Sequence, residues 1–392
     1  MSSNKLMPGV RQNGRTRMPA SQLAKFGPLL AIIVLTLLAA VVLSFSALAT
    51  VAACWRQAAV PQLLELEDSS SAGPRQRFLQ HNDTAESGQL ALYALDSTLP
   101  FSSLTAWPLS EGVGPAAPFY ASPQPFDSNY DGVVDHLFSI DFTGRVWLTG
   151  ITAAGFGSTL LLADLASREW RFIGSLGVFE VSLPLLLRPS GLQGRHKLLL
   201  LIARNISNGE DAIVSLRLPA DITAASLLRF DTLVDRSVLS ATEREYGLSN
   251  EQWFSLLNGA GWWARLSGQL TQPPQVVAGV IYSAVATSDF SALECATEHA
   301  EHSLVAMHLH SAGLVYNQRR FLLASGVGKL TLQLQPDGTA ALILNSVTEQ
   351  HTALTELVSL SPDCLECTAP LRLDQFPRWL KLATYRQETG AH

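Results

Sequence analysis

The residues of this chain best suited to hold an ion lie at 126–138, FDSNYDGVVDHLF. Asp127, Asn129, Asp131 and Asp135 recur at every second or fourth position, in a chain of 392 residues of which only 15% are charged. Carboxylates this close repel one another, and a bound cation removes that cost. With Asp127 as position 1, Asn129 is position 3, Asp131 position 5, Gly132 position 6, Val133 position 7 and Asp135 position 9. That is the opening of an EF-hand-type calcium loop. Side-chain oxygens of Asp127, Asn129, Asp131 and Asp135, with the Val133 carbonyl, form a hard-oxygen set that suits Ca2+ rather than a soft metal. The loop is not an EF-hand. Phe138 stands at position 12, where the bidentate Glu belongs, and no flanking helices are evident, so Asp135 is expected to bind directly. An Asx-rich turn without an ion would use the same residues.

Other chemistry-bearing residues have plainer readings. Glu294, Cys295, Glu298, His299, His302, His308 and His310 fall within 17 residues and could form a transition-metal site. A polar strand face followed by a solvated loop is the stronger expectation, with His308 and His310 on one face. Trp253, Trp262 and Trp263 could line a ligand groove, but core packing is expected. Of the four cysteines, Cys54 ends a lipobox-like VAAC, and Cys295, Cys364 and Cys367 suit a structural disulfide or free thiols better than zinc or redox work. There is no Gly-rich phosphate loop, Gly-x-Ser-x-Gly elbow or His-Glu-x-x-His sequence, so no catalytic residue and no organic cofactor are assigned.

These residues must be positioned by strands. From residue 88 the chain runs in short apolar or alternating segments of strand length, such as DHLFSIDF (135–142), RVWLTGI (145–151), KLLLLIA (197–203) and AIVSLRL (212–218), punctuated by Gly, Pro, Asp and Ser. The fold class expected is all-β. One stretch, 240–259, breaks the pattern: Ser240 followed by Glu243 reads as a helix start, and one or two short helices end near Gly259. Ahead of the strands come a basic tail at 1–25 and an uncharged apolar run at 26–54, long enough for a transmembrane signal anchor. A turn-rich linker is expected at 55–86. Basic residues stay on the cytoplasmic side, which puts residues 87–392 in the periplasm and the protein in the inner membrane as a single-pass chain. A lipoprotein or cleaved, secreted form are the alternatives. The net charge of −6 argues against nucleic acid as a partner.

The segment DHLFSIDFTGRVWLTGI resembles the strand–turn–strand signature of the PilY/PilC family of type IV pilus biogenesis and tip-associated proteins. Asp141, Gly144 and Trp147 occupy the matching places. GAGWWARLSGQLTQPPQVVAGVIYSAVAT (259–287) and CATEHAEHSLVAMHLHSAG (295–313) resemble two later segments of that family, in the same order. The resemblance spans about 88–335. It implies a modified β-propeller, whose calcium loop is linked to pilus extension and retraction; the strand spacing by itself fits blades of about 40 residues, about six or seven in this length, with a pair of β-sandwiches as the structural alternative. Partners would be pilus or envelope proteins, pilins or minor pilins among them. Departures limit the transfer. The family's long N-terminal adhesive region is replaced by a short tail and one apolar segment, and EHAEH stands where small residues usually sit, which weakens an adhesive role. An envelope β-propeller scaffold unrelated to pili is the alternative function, and a quinoprotein-type enzyme a more distant one.

Overall fold

A computed structural model describes residues 60–70, 73–82, 87–182, 195–218, 227–277, 279–287, 301–323, 329–334, 339–345, 350–359 and 384–388. All of them belong to the unit Ala53–His392. The basic tail, the apolar run at 26–54 and all four cysteines lie outside the described residues, as do Glu294 to His299. Among the described residues no helix is long and apolar enough to cross a membrane.

The described chain is mostly strand, arranged as successive antiparallel sheets. The first sheet is a meander of β1 (Gln62–Leu66), β2 (Arg75–His81), β3 (Leu90–Tyr93) and β4 (Ser102–Leu104). Its first two strands fall inside the expected linker. The alternation of QLLEL explains why they pair: Leu64 and Leu66 point inward, while Leu63 is half exposed. A hairpin follows, β5 (Trp107–Leu109) with β6 (Gly112–Gly114). The second sheet is β7 (Gln124–Phe126), β8 (His136–Ile140), β9 (Arg145–Thr152) and β10 (Gly155–Asp164). The third is built on β11 (Trp170–Ser182), β12 (Arg195–Asn205) and β13 (Asp211–Leu218). Short β14 (Leu228–Arg229) then adds parallel to β10, and β15 (Val234–Asp235) lies parallel to β16 (Gly261–Arg265), which closes the third sheet against β13.

Between β15 and β16 sit α1 (Ala241–Tyr246) and α2 (Asn250–Asn258), the expected helical insertion. The Ser240 side chain caps α1 by accepting from the Glu243 amide, but Glu243's own carboxylate turns to Arg236 instead of back to the cap. The full capping box belongs to α2, between Ser249 and Gln252. The fourth sheet contains β17 (Gln269–Leu270), β18 (Gln275–Val277), β19 (Val280–Thr287), β20 (Glu301–His308) and β21 (Arg320–Leu322). The fifth contains β22 (Lys329–Leu334), β23 (Thr339–Asn345) and β24 (Gln350–Ser359), and β25 (Thr384–Glu388) pairs with the free edge of β11.

The core is divided among the junctions between consecutive sheets. Leu64, Leu79 and Leu92 of the first sheet meet Leu137, Trp147 and Ile151 of the second. The second sheet's Phe138, Val146 and Leu162 meet Leu199, Leu201 and Val214 of the third. Leu198, Leu200 and Ile202, on the opposite face of the same strand β12, meet Ile281, Val305 and Met307 of the fourth. Tyr282, Leu304 and Ala306 in turn meet Leu330, Leu342 and Leu344 of the fifth. Each inner sheet is buried on both faces, which is why KLLLLIA reads as a continuous apolar run and not as an alternation.

One turn device recurs at the same place in two sheets. In the β8–β9 turn, the fully buried Asp141 accepts from the backbone N–H groups of Thr143, Gly144 and Arg145 at 2.9–3.0 Å, and from Ala117 at 3.2 Å. Gly144 has φ +104°, and a Cβ there would stand 2.5 Å from the Phe172 ring. In the β12–β13 turn Asn205 accepts from Ser207 and Asn208 in the same manner. Trp147 of the family-like signature donates from Nε1 to the Pro108 carbonyl at 2.7 Å and packs at a tilt against Trp107, pinning the β5–β6 hairpin to the second sheet.

Candidate functional site

The 127–135 loop joins β7 to β8. Asp127 is buried, with one carboxylate oxygen accepting from the Tyr130 N–H (2.6 Å) and the other from the Gly132 N–H (2.8 Å). Those bonds need a chain that doubles back, and two residues in the left-handed region supply it: Tyr130 at φ +64° and Gly132 at φ +91°. Asn129 Oδ1 accepts from the Asp131 N–H at 3.0 Å, and its side-chain Nδ2 donates to Asp131 Oδ2 at 2.9 Å. Asp131 Oδ1 accepts from the Val133 N–H at 2.8 Å. Asp127, Asn129 and Asp131 are thus gathered in one turn.

Asp135 is engaged differently. It accepts from the Ser128 hydroxyl at 2.6 Å and the Ser128 N–H, and pairs with His136 Nδ1 at 2.7 Å. Burial works to raise its carboxyl, but the His136 and Ser128 hydrogen bonds together outweigh that and hold it below the ordinary carboxylate range. Among the described residues no three His, Cys, Asp or Glu side chains converge closely enough to hold a metal ion. The donor chemistry and the sharp turn at Gly132 fit calcium. The side-chain positions are those of a loop hydrogen-bonded to itself: each carboxylate oxygen of Asp127 and Asp131 accepts one hydrogen bond and keeps a lone pair, while both oxygens of Asp135 are taken up by Ser128 and His136.

The loop is braced by two other sheets. Val134 N–H donates to the Glu65 carbonyl of the first sheet at 2.8 Å. The Tyr130 hydroxyl donates to Glu180 of β11, and Lys197, paired across from Glu180 on β12, places its ammonium 4.1 Å from the Phe126 ring centre and 5.3 Å from that of Tyr130. Tyr130, Ser128, Glu180 and His136 were not picked out from the sequence. An aromatic at position 4 of a polar loop was the only local sign of this contact, because Glu180 is 50 residues away.

Of the histidine run, His308 and His310 belong to a packing cluster. His308 and His310 stack with ring centres 5.9 Å apart, and the Trp253 ring lies edge-on to both. His310 is buried, and burial, with His308, Arg217 and His196 nearby, keeps its imidazole neutral well below the usual range. His302 is shifted the same way by burial. Trp253, Trp262 and Trp263 are core residues as expected; Trp262 donates to the Leu309 carbonyl, and Trp263 packs on Trp170 and Phe230.

No family model matches this chain, and no curated protein matches it significantly.

Proposed function

We propose that this chain is a calcium-binding β-propeller interaction protein that acts in type IV pilus assembly or function, held in the inner membrane by residues 26–54 with its sheets in the periplasm. The observation that carries the reading is the 127–135 loop: acids and amide at positions 1, 3, 5 and 9, Gly132 at the turn, and braces to the first and third sheets. Support for the propeller comes from sheets that follow one another in chain order, mostly as antiparallel meanders, and share a core at each junction. Blades of that kind present loops on a rigid frame, which suits protein–protein interaction better than catalysis. Asp127, Asn129, Asp131 and Asp135 would hold the ion, with the Val133 carbonyl. Binding requires Asn129 and Asp131 to give up their mutual hydrogen bond and turn inward, while Asp135 trades Ser128 and His136 for the cation. The ion supplies the positive charge that three clustered carboxylates lack.

The test is a calorimetric titration of the metal-stripped full chain in detergent with Ca2+ and with Mg2+, beside Asp131→Ala. One site selective for Ca2+ and lost in the variant is the expected result. In the native cell, the same substitution should change the number of assembled pili. A folded wild-type chain that takes up no Ca2+ would reduce the loop to an Asx turn. Calcium binding with unaltered piliation would leave an envelope scaffold of another kind.

A further inference from the structure

Helix α2 rests on a largely buried cluster of cationic and imidazole side chains. Arg217 of β13 reaches the helix from the third sheet, donating from Nη2 to the Leu256 carbonyl in its last turn at 3.0 Å. That contact sets a guanidinium against the negative end of the helix dipole. The compensation is thin. Arg217 Nε and Nη1 are buried and have no acceptor among the described residues, and burial lowers the group to about 10 with no carboxylate opposing the shift. The β12–β13 register sets Leu198 opposite Arg217, so His196, two residues earlier on β12, shares the same face of the sheet.

The fourth sheet supplies the other half. His308 ends β20, and its Nδ1 accepts from the His310 N–H at 3.3 Å. Trp253 of α2 lies edge-on to both rings, 6.1 Å from His308 and 5.6 Å from His310. His310 is buried, and the groups acting on it from three elements are Arg217, His196 and His308, all of which disfavour a proton. The insertion offers no relief. Helix α2 buries Trp253, Leu256 and Leu257 and leaves Glu251 exposed, while Glu243 on α1 is committed to Arg236. A cavity of about 420 Å3 between the insertion and the segment after β20 is lined by Trp253 and His308, and it brings solvent to the outer side of the cluster. A second charge beside a buried, unsupported guanidinium is best relieved by water, and the nine-residue helix is the smallest element whose movement admits it.

We infer that α2 is an acid-released latch: with His310 neutral the helix is held by Arg217 and Trp253, and a proton on His310 lifts it from the third and fourth sheets and uncovers Trp253, Leu256 and Leu257. The inference is independent of the calcium loop and of the membrane anchor. Its sign follows from linkage. Above about pH 6.5 the latched and released forms both carry His310 neutral. Below that value the released form takes up a proton that the latched form refuses, so release grows by up to tenfold per pH unit until the lower pKa of the latched form is reached.

Amide exchange followed by mass spectrometry on the full chain in detergent, at pH 7.5, 6.5 and 5.5 and corrected for the intrinsic effect of pH, reads the latch directly. Residues 250–258 should exchange faster than β12 and β13 at every pH, alike at 7.5 and 6.5, and up to about tenfold faster at 5.5. His310→Gln, which takes no proton, should remove the acceleration. Arg217→Gln keeps a donor for the Leu256 carbonyl without the charge and should reduce it, so either variant suffices if the other does not fold. Exchange in 250–258 that is independent of pH, exchange there no faster than in β12 and β13, or an acceleration that the substitutions leave intact would overturn the inference.

Discussion

Asp141 shows how much one side chain can organise. It is buried at the head of the β8–β9 turn and collects four backbone donors from two segments of chain. Truncation would strand those donors in the interior, where each unsatisfied group costs about 1–3 kcal/mol. Asp141→Ala should therefore lower stability by about 3 kcal/mol or more, read as a shift of the urea midpoint. His310 makes a second prediction, in pH. Its folded-state pKa lies well below the ordinary histidine value, since burial and the neighbouring His308, Arg217 and His196 all disfavour the proton. Above about pH 6.5 folded and unfolded chains both carry it neutral, and its contribution is fully present. As pH falls below that value the unfolded chain takes up a proton that the folded chain refuses, so stability drops by up to about 1.4 kcal/mol per pH unit until the folded pKa is reached. Urea unfolding at pH 7.5 and 5.5 should show the loss, and His310→Gln should flatten it. A family-like signature can serve folding: Asp141, Gly144 and Trp147, the residues that carry the resemblance, build a turn and pin a hairpin.

At the level of strands and helices, period and caps were legible and irregular strands were not. KLLLLIA and AIVSLRL announced β12 and β13, and Ser240 announced the insertion. The longest strand among the described residues, β11, was missed, because Gly174 and Gly177 interrupt its pattern at the two places where its register against β12 shifts. The strands β1 and β2 were hidden by Arg75, Arg77 and the surrounding Ser and Gly, since only one face of that sheet is apolar. That 127–135 form one tight acidic turn was readable because its residues are contiguous. The cavity was not, because it is assembled from residues 243–253 and 308–317, which only the fold brings together. Helix caps give a clean check on the insertion. Ser249 both accepts from Gln252 N–H and donates its own N–H to the Gln252 side chain. Ser249→Ala should cost about 1 kcal/mol by chemical denaturation, leave the β-sheet circular-dichroism signal unchanged, and loosen α2 enough to raise amide exchange in residues 250–258.

Across the molecule, the sheets form a chain of nearest neighbours, and β12 is the link where its two directions meet. Leu200 belongs to the junction with the fourth sheet and Leu201 to the junction with the second, though they are adjacent in sequence. Both are fully buried, so Leu200→Ala and Leu201→Ala should each cost about 2–5 kcal/mol. The more informative question is where that loss is felt. In a solenoid-like stack, stability is a sum of local junction terms, and each substitution would loosen mainly its own side. In a propeller-type domain that unfolds as one unit, either substitution raises the population of the same globally open state. Strand β12 favours the second behaviour: it hydrogen-bonds β11 and β13 along nearly its whole length, and Asp211, at the start of β13, ties the third sheet to the fourth by pairing with Arg204 and accepting the Leu270 N–H at 2.7 Å. Hydrogen exchange followed by mass spectrometry should then show Leu200→Ala speeding exchange in the β8–β9 peptide as much as in the β19–β20 peptide, with Leu201→Ala giving the same pair of changes. Acceleration confined to β19–β20 for the first variant and β8–β9 for the second would mean that the junctions open independently, and that an ion bound at 127–135 could stiffen its own sheet without reaching the cavity beside α1.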